Sequence, residues 1–212
     1  KIMAASSCYT APIFGWYSMA TFAKIASLLG KTSDAEKYQK TADKMKTAFQ
    51  KGVIRKDGTM PSELMGAYVL PIYFDLVPQE HRQAFADHLV KLIRDNENCL
   101  DTGFLATPFL LDALCKIGCR DLAYTLLWQD KCPSWLFEVD HGATTIWESW
   151  DGVREDGTVY NSLNHYSYGA VVGWLFDSVC GIRVSGDEIR TISADGTPPQ
   201  APRAAVSSPA GT

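Results

Sequence analysis

The sequence predicts an all-α protein built as a double ring of antiparallel helices, with buried inner helices alternating with half-wet outer ones. Three observations predict it. Segments apolar nearly all round take turns with segments charged along one side. A helix apolar on every face is buried, and a one-sided helix faces solvent. Helix start and stop signals punctuate the chain between them, and few stretches alternate at a period of two. No constant period or recurring consensus appears, which disfavours a solenoid.

The elements follow in order. Residues 12–29 form an apolar helix that stops at Gly30. Ser33 and Glu36 are spaced as a capping box for a helix reaching residue 50. Its apolar positions Ala35, Tyr38, Ala42, Met45 and Phe49 step by three and four, and lysines fill the other face. After the Asp57-Gly58 turn comes 62–75, apolar nearly all round, where Pro71 should kink the helix or end its first part. Residues 79–94 are charged on one side, and His81 and His88 there read as solvated. Thr107 is placed to cap the next apolar helix, with Pro108 at its first position. A short helix near 120–129, a non-helical run over 130–144 and an apolar helix over 164–179, stopping at Gly181, complete the set. Residues 185–212 are rich in Pro, Ala, Ser and Gly and read as a flexible tail. Only Ile189 and Ile192 hint at a strand there.

Composition narrows the function. Of 212 residues, 46% are hydrophobic, enough for a core; the net charge is −4, with no basic stripe, so nucleic acid is not an expected partner. No run of 18 apolar residues suggests a membrane span. The start, KIMAASSCYT, lacks the basic and long apolar regions of a signal peptide. With no initial Met it fits a processed, truncated or excised chain and leaves location open. Six cysteines include no C-x-x-C pair and read first as buried thiols, with a disulfide from Cys99 as the alternative. No H-E-x-x-H, G-x-S-x-G or glycine-rich phosphate loop is present. No metal and no cofactor are expected.

The stretch GATTIWESWDG, 142–152, holds the best candidate chemistry. Glu148 sits between Trp147 and Trp150, and four of six tryptophans (Trp128, Trp135, Trp147, Trp150) fall within 23 positions of one another. Flat rings stack on the C–H faces of sugars, and a carboxylate beside them can hold or activate a hydroxyl. The competing reading is that the rings fill core. Asp140, His141 and Asp151 lie close in sequence. Asn164 and His165, in SLNHYSYG, can donate and accept hydrogen bonds to hydroxyls; their plainer reading is a helix cap and a satisfied histidine.

Three ordered motifs then resemble one family. LDTGFLATPFLLDAL (100–114), PSWLFEVDHGATTIWESWDG (133–152) and SLNHYSYGAVVGWLFDSVCGIR (162–183) resemble the catalytic domain of inverting bacterial and fungal α-L-rhamnosidases. The resemblance implies an (α/α) six-hairpin barrel, here its C-terminal half over 1–184. It also implies that Glu148 is the general base acting on water, that His165 contacts the sugar, and that Trp147 and Trp150 shape the pocket. Two positions depart from the pattern: Ser149, where relatives often carry Arg, and Asp101, where many carry Thr.

Inversion requires a second carboxyl, about 6.5–9.5 Å from the first, to protonate the leaving oxygen. In the family the acid lies N-terminal to the matched region, and no such segment precedes Tyr9, so the chain alone is expected to lack it. The expected partners are an L-rhamnose-containing glycoside and the missing N-terminal half of the barrel. The alternative is a non-catalytic carbohydrate-binding or interaction protein derived from such a barrel.

Overall fold

The computed structural model describes residues 2–154, 156–185 and 188–191. Helix α1 spans Ile2–Leu28 and α2 spans Thr32–Gly52. They are followed by α3 (Gly66–Tyr73), α4 (Arg82–Asp95), α5 (Thr107–Lys116), α6 (Arg120–Leu127) and α7 (Trp135–Asp140). A final composite helix comprises a 3-10 turn (Ser167–Ala170), α8 (Val171–Trp174) and a π-helical turn (Leu175–Val179). Strands β1 (Ile182–Ser185) and β2 (Glu188–Thr191), the last described elements, pair antiparallel, with Val184 opposite Ile189.

The two rows of helices are present. Helix α1 packs on α3, α3 on α5 and α5 on α8, which forms the inner row. Helices α2, α4 and α6 pack chiefly on the helix before them. The reason lies in the faces. Every residue of α3 from Gly66 to Ile72 is buried, so the helix needs neighbours on all sides. Helix α4 buries only Phe85, Leu89 and Ile93, a single stripe. An aromatic cluster locks the inner row: Phe14 of α1 meets Phe74 at 5.9 Å, and Phe109 of α5 meets Tyr73 at 4.5 Å and Phe74 at 5.2 Å.

Several helix ends differ from expectation. Helix α1 begins ten residues before Pro12, which sits inside it. Proline removes one N–H and does not forbid the helix when the residues on both sides permit it. The Ser33–Glu36 capping box does not form. Gly30 adopts φ 69°, Gly30 N–H donates to Ser27 and Lys31 N–H to Ala26, a Schellman arrangement. That connection makes Lys31 the N-cap of α2, with no side-chain cap. Ser33 is thereby drawn inside the helix. Pro71 lies inside α3 without ending it. Thr107 is likewise one residue inside α5; its Oγ1 donates to Thr102 O and Gly103 O, both at 3.0 Å, and so ties the T-G-F turn instead.

Other readings change as well. Helix α7 occupies part of the run expected to be non-helical. Ser134 Oγ caps it by accepting the Phe137 N–H at 3.1 Å. His88 is not solvated: it bonds Glu63 at 2.7 Å and stacks on Tyr68 at 4.5 Å. None of the six thiols forms a disulfide among the described residues, and three of them, Cys8, Cys132 and Cys180, are exposed. Strand β2 falls inside the segment assigned to the tail, while Ile192 and the rest of the tail to 212 lie outside the described residues. No described helix is long and apolar enough to cross a membrane.

Candidate active site

Two irregular segments, 145–148 and 162–165, run past each other in opposite directions. Ile146 O accepts the His165 N–H at 2.8 Å, and Ser162 O accepts the Glu148 N–H at 2.9 Å. The Thr145 hydroxyl donates to Leu163 O. These bonds join the T-T-I-W-E stretch to the S-L-N-H-Y stretch. Glu148 and His165, 17 positions apart in sequence, thus occupy adjoining segments.

The Glu148 carboxyl is half-buried and anchored on one side. Its Oε2 accepts the Ser162 N–H at 3.1 Å. Its Oε1 has no hydrogen bond among the described residues, the state a base needs: one oxygen fixed, one available to a water. His165 is set in the same manner. Its Nδ1 faces the Ser167 N–H at 3.3 Å. A ring nitrogen that accepts from an amide carries no proton, so the neutral ring holds its hydrogen on Nε2. Phe104 stacks on the ring at 4.7 Å and 18°. Asn164 is exposed, and its backbone N–H donates to Ser162 Oγ.

An aromatic-walled cavity of about 430 Å³ lies beside these segments, lined among others by Tyr9, Asp101, Phe104, Pro133, Trp150 and Tyr168. Trp150 stacks on Tyr168 at 3.8 Å and meets Trp135 edge-on at 5.7 Å. Burial pushes the Tyr168 phenol up to about 12, and the negative charges of Glu138 and Glu148 add to it. Tyr9 is pushed up to about 12, first by burial and then by Cys8 and Asp101. Solvent reaches Asp101, yet the surrounding protein holds its carboxyl above the usual carboxylate range.

The sequence-predicted residues do not all meet. Trp150 lines the cavity. Trp147 does not line it: the ring is buried against Gly152, where a Cβ would come within 3.1 Å. Trp128 is half exposed on a separate apolar groove. His141 Nδ1 bonds Phe137 O at 2.7 Å and Asp151 approaches Arg154 at 3.7 Å, so both are engaged locally. Asp140 is exposed. Ser149 Oγ accepts from Asn161 Nδ2 at 2.8 Å. Among the described residues, no group of three His, Cys, Asp or Glu side chains is placed to hold a metal ion.

Sequence reasoning missed Glu138. Its side chain is 1% exposed, its Oε2 accepts the Trp147 N–H at 3.1 Å, and its Oε1 has no partner among the described residues. Burial pushes its pKa up to about 7, against the opposing pull of that hydrogen bond. The available signal was a carboxylate set between Phe137 and Val139 with no Lys or Arg within six positions on either side.

Comparison with known proteins bears on this geometry. Residues 4–179 match the model of the bacterial alpha-L-rhamnosidase 6 hairpin glycosidase domain. The chain belongs to this family. An alpha-L-rhamnosidase of Streptomyces avermitilis is 42% identical over 164 residues, covering 76% of this chain and 16% of the relative. One from an Alteromonas species is 35% identical over 174 residues, covering 78% of this chain and 19% of the relative. The crystal structure of the Streptomyces avermitilis alpha-L-rhamnosidase complexed with L-rhamnose superposes with a TM-score of 0.78 at 39% identity, covering 84% of this chain and 17% of that one. The native Aspergillus terreus enzyme gives 0.76 at 36% identity, covering 80% and 20%. This rhamnosidase-family chain therefore spans under a fifth of the length of those curated relatives, and its two rows of helices are part of the six-hairpin barrel.

Proposed function

We propose that this chain is the base-bearing part of an α-L-rhamnosidase that removes terminal L-rhamnose with inversion. The single observation that carries this reading is the Glu148 carboxyl, held through Oε2 by the Ser162 amide with Oε1 left open. Glu148 takes a proton from water as the water oxygen bonds the anomeric carbon. The bond from that carbon to the glycosidic oxygen breaks, and the departing oxygen takes a proton from a general acid. No residue of this chain is assigned as that acid. His165 donates from Nε2 to a sugar hydroxyl, and Asn164 lies beside it as a further polar contact. Trp150, stacked on Tyr168, and Phe104 wall the ring, while Trp147 fixes the base from behind. The relatives named alpha-L-rhamnosidases, one of them solved with L-rhamnose, support the choice of sugar.

The test is Glu148→Gln in the full-length protein. The amide keeps shape and hydrogen bonding but cannot accept the proton. Turnover of an aryl α-L-rhamnoside should fall about 10²–10⁴-fold with rhamnose binding nearly unchanged. Turnover within about a factor of two of wild type refutes the base. An unaltered parent that binds rhamnose but never hydrolyses the rhamnoside points instead to the carbohydrate-binding alternative.

A further inference from the structure

The segment that carries Glu148 is gripped from two sides. Toward residues 162–165 it presents Ile146 O and the Glu148 N–H, bonded to His165 and Ser162. The Trp147 N–H, which lies between those two groups along the chain, bonds neither Ser162 nor His165. No strand supplies its acceptor among the described residues. The acceptor is the Oε2 of Glu138, reaching in from α7 at 3.1 Å. Helix α7 is itself fixed, by the Ser134 cap and by the Trp135 indole, which donates to Tyr168 O at 2.9 Å.

Stability alone does not account for a glutamate here. Trp147 is buried, so its amide requires an acceptor. A neutral amide oxygen serves that need at less cost than a carboxyl. The carboxyl is 1% exposed, meets no cation, and leaves Oε1 without a partner among the described residues. Burying such a group opposes folding. What it does is hold one peptide plane, and the next residue along is Glu148.

We propose that Glu138 is a positioning residue for Glu148: by accepting the Trp147 N–H, it fixes the direction from which the following residue presents its carboxylate to water. The proposal rests on the reading of Glu148 as general base. Glu138 touches neither substrate nor water in this scheme and acts only through the Trp147 peptide. Displacing a reacting group by about 1 Å can cost on the order of 10²-fold in rate, so a small rotation of this peptide has a kinetic readout.

The experiment uses the full-length protein and an aryl α-L-rhamnoside, with rates normalised to folded protein by near-ultraviolet circular dichroism. Glu138→Met fills the space without an acceptor. Glu138→Asp keeps the carboxyl but withdraws it by one methylene. Glu138→Gln keeps an acceptor oxygen at the same reach. The Met and Asp variants should lose about 10–100-fold in kcat with KM within about twofold, and Gln should retain at least about a third of wild-type kcat. If Met fails to fold, the Asp–Gln pair decides. Wild-type kcat in Asp, a Gln loss as deep as that of Asp, or a change confined to KM overturns the proposal. Glu148→Gln run in parallel separates the two readings: retained turnover there sinks the base itself. Collapsed turnover there, with unaffected Glu138 variants, sinks only the positioning role.

Discussion

Trp135 and Tyr168, 33 positions apart in sequence, are joined by a hydrogen bond from the indole Nε1–H to the backbone carbonyl at 2.9 Å. The bond ties α7 to the 3-10 turn that follows His165, and both rings meet Trp150, Trp135 edge-on and Tyr168 face to face. One buried tryptophan thus couples the helix that holds Glu138 to the aromatic wall of the cavity.

Trp135→Phe should lower stability in the full-length protein by at least about 1 kcal/mol, the usual worth of one intramolecular hydrogen bond, because the smaller ring also leaves space in a buried site. The Tyr168 carbonyl keeps the Val171 N–H as a second donor, which limits the loss. Thermal melts of the two proteins check it; an unchanged midpoint shows that the bond contributes nothing.

His165→Ala should weaken sugar binding and turnover with little change in melting temperature. The ring is half-buried and stacks on an exposed face of Phe104, so its removal opens no sealed core cavity. Among the described residues its ring bonds the Ser167 amide beside it. Kinetics and a thermal melt on the same preparation decide. A large drop in midpoint with unchanged KM and kcat assigns the histidine a structural role only.

Glu138 should give the protein a pH-dependent stability. Burial raises its folded pKa from 4.5 to about 7. Between those values the folded state keeps a proton that the unfolded state has released. Stability therefore falls as pH rises through this window, and the full penalty is present above it. Its upper bound is on the order of 3 kcal/mol. The ionisable groups that sense Glu138, Tyr168 and Cys132, are both raised and titrate above the window. Glu138→Gln removes the effect, so the variant's melting temperature should gain on wild type from pH 5 to pH 8. A constant difference across that range contradicts the buried, raised carboxyl.

The sequence by itself determined the two rows of helices and the neighbourhood of Glu148. Apolar-all-round segments such as 66–72 and one-striped ones such as 82–95 dictate who must be inner and outer, because burial of apolar surface is the dominant driving force and acts face by face. It also singled out Glu148 and His165, since the three ordered motifs are local strings. Helix ends were less legible. The cap of α2 went to Lys31 and not to Ser33 because Gly30 had already fixed the turn, and competition between adjoining caps is settled by backbone geometry. What only the tertiary structure decided is pairing across distance. The bond from Glu138 to Trp147, the Trp135–Tyr168 bridge and the division of the tryptophans between cavity, core and surface depend on how α7 docks against the composite helix. A carboxylate at position 138 carries no mark of its role in one dimension. Its meaning comes from the low-dielectric surroundings that raise its pKa and from the one amide it meets there.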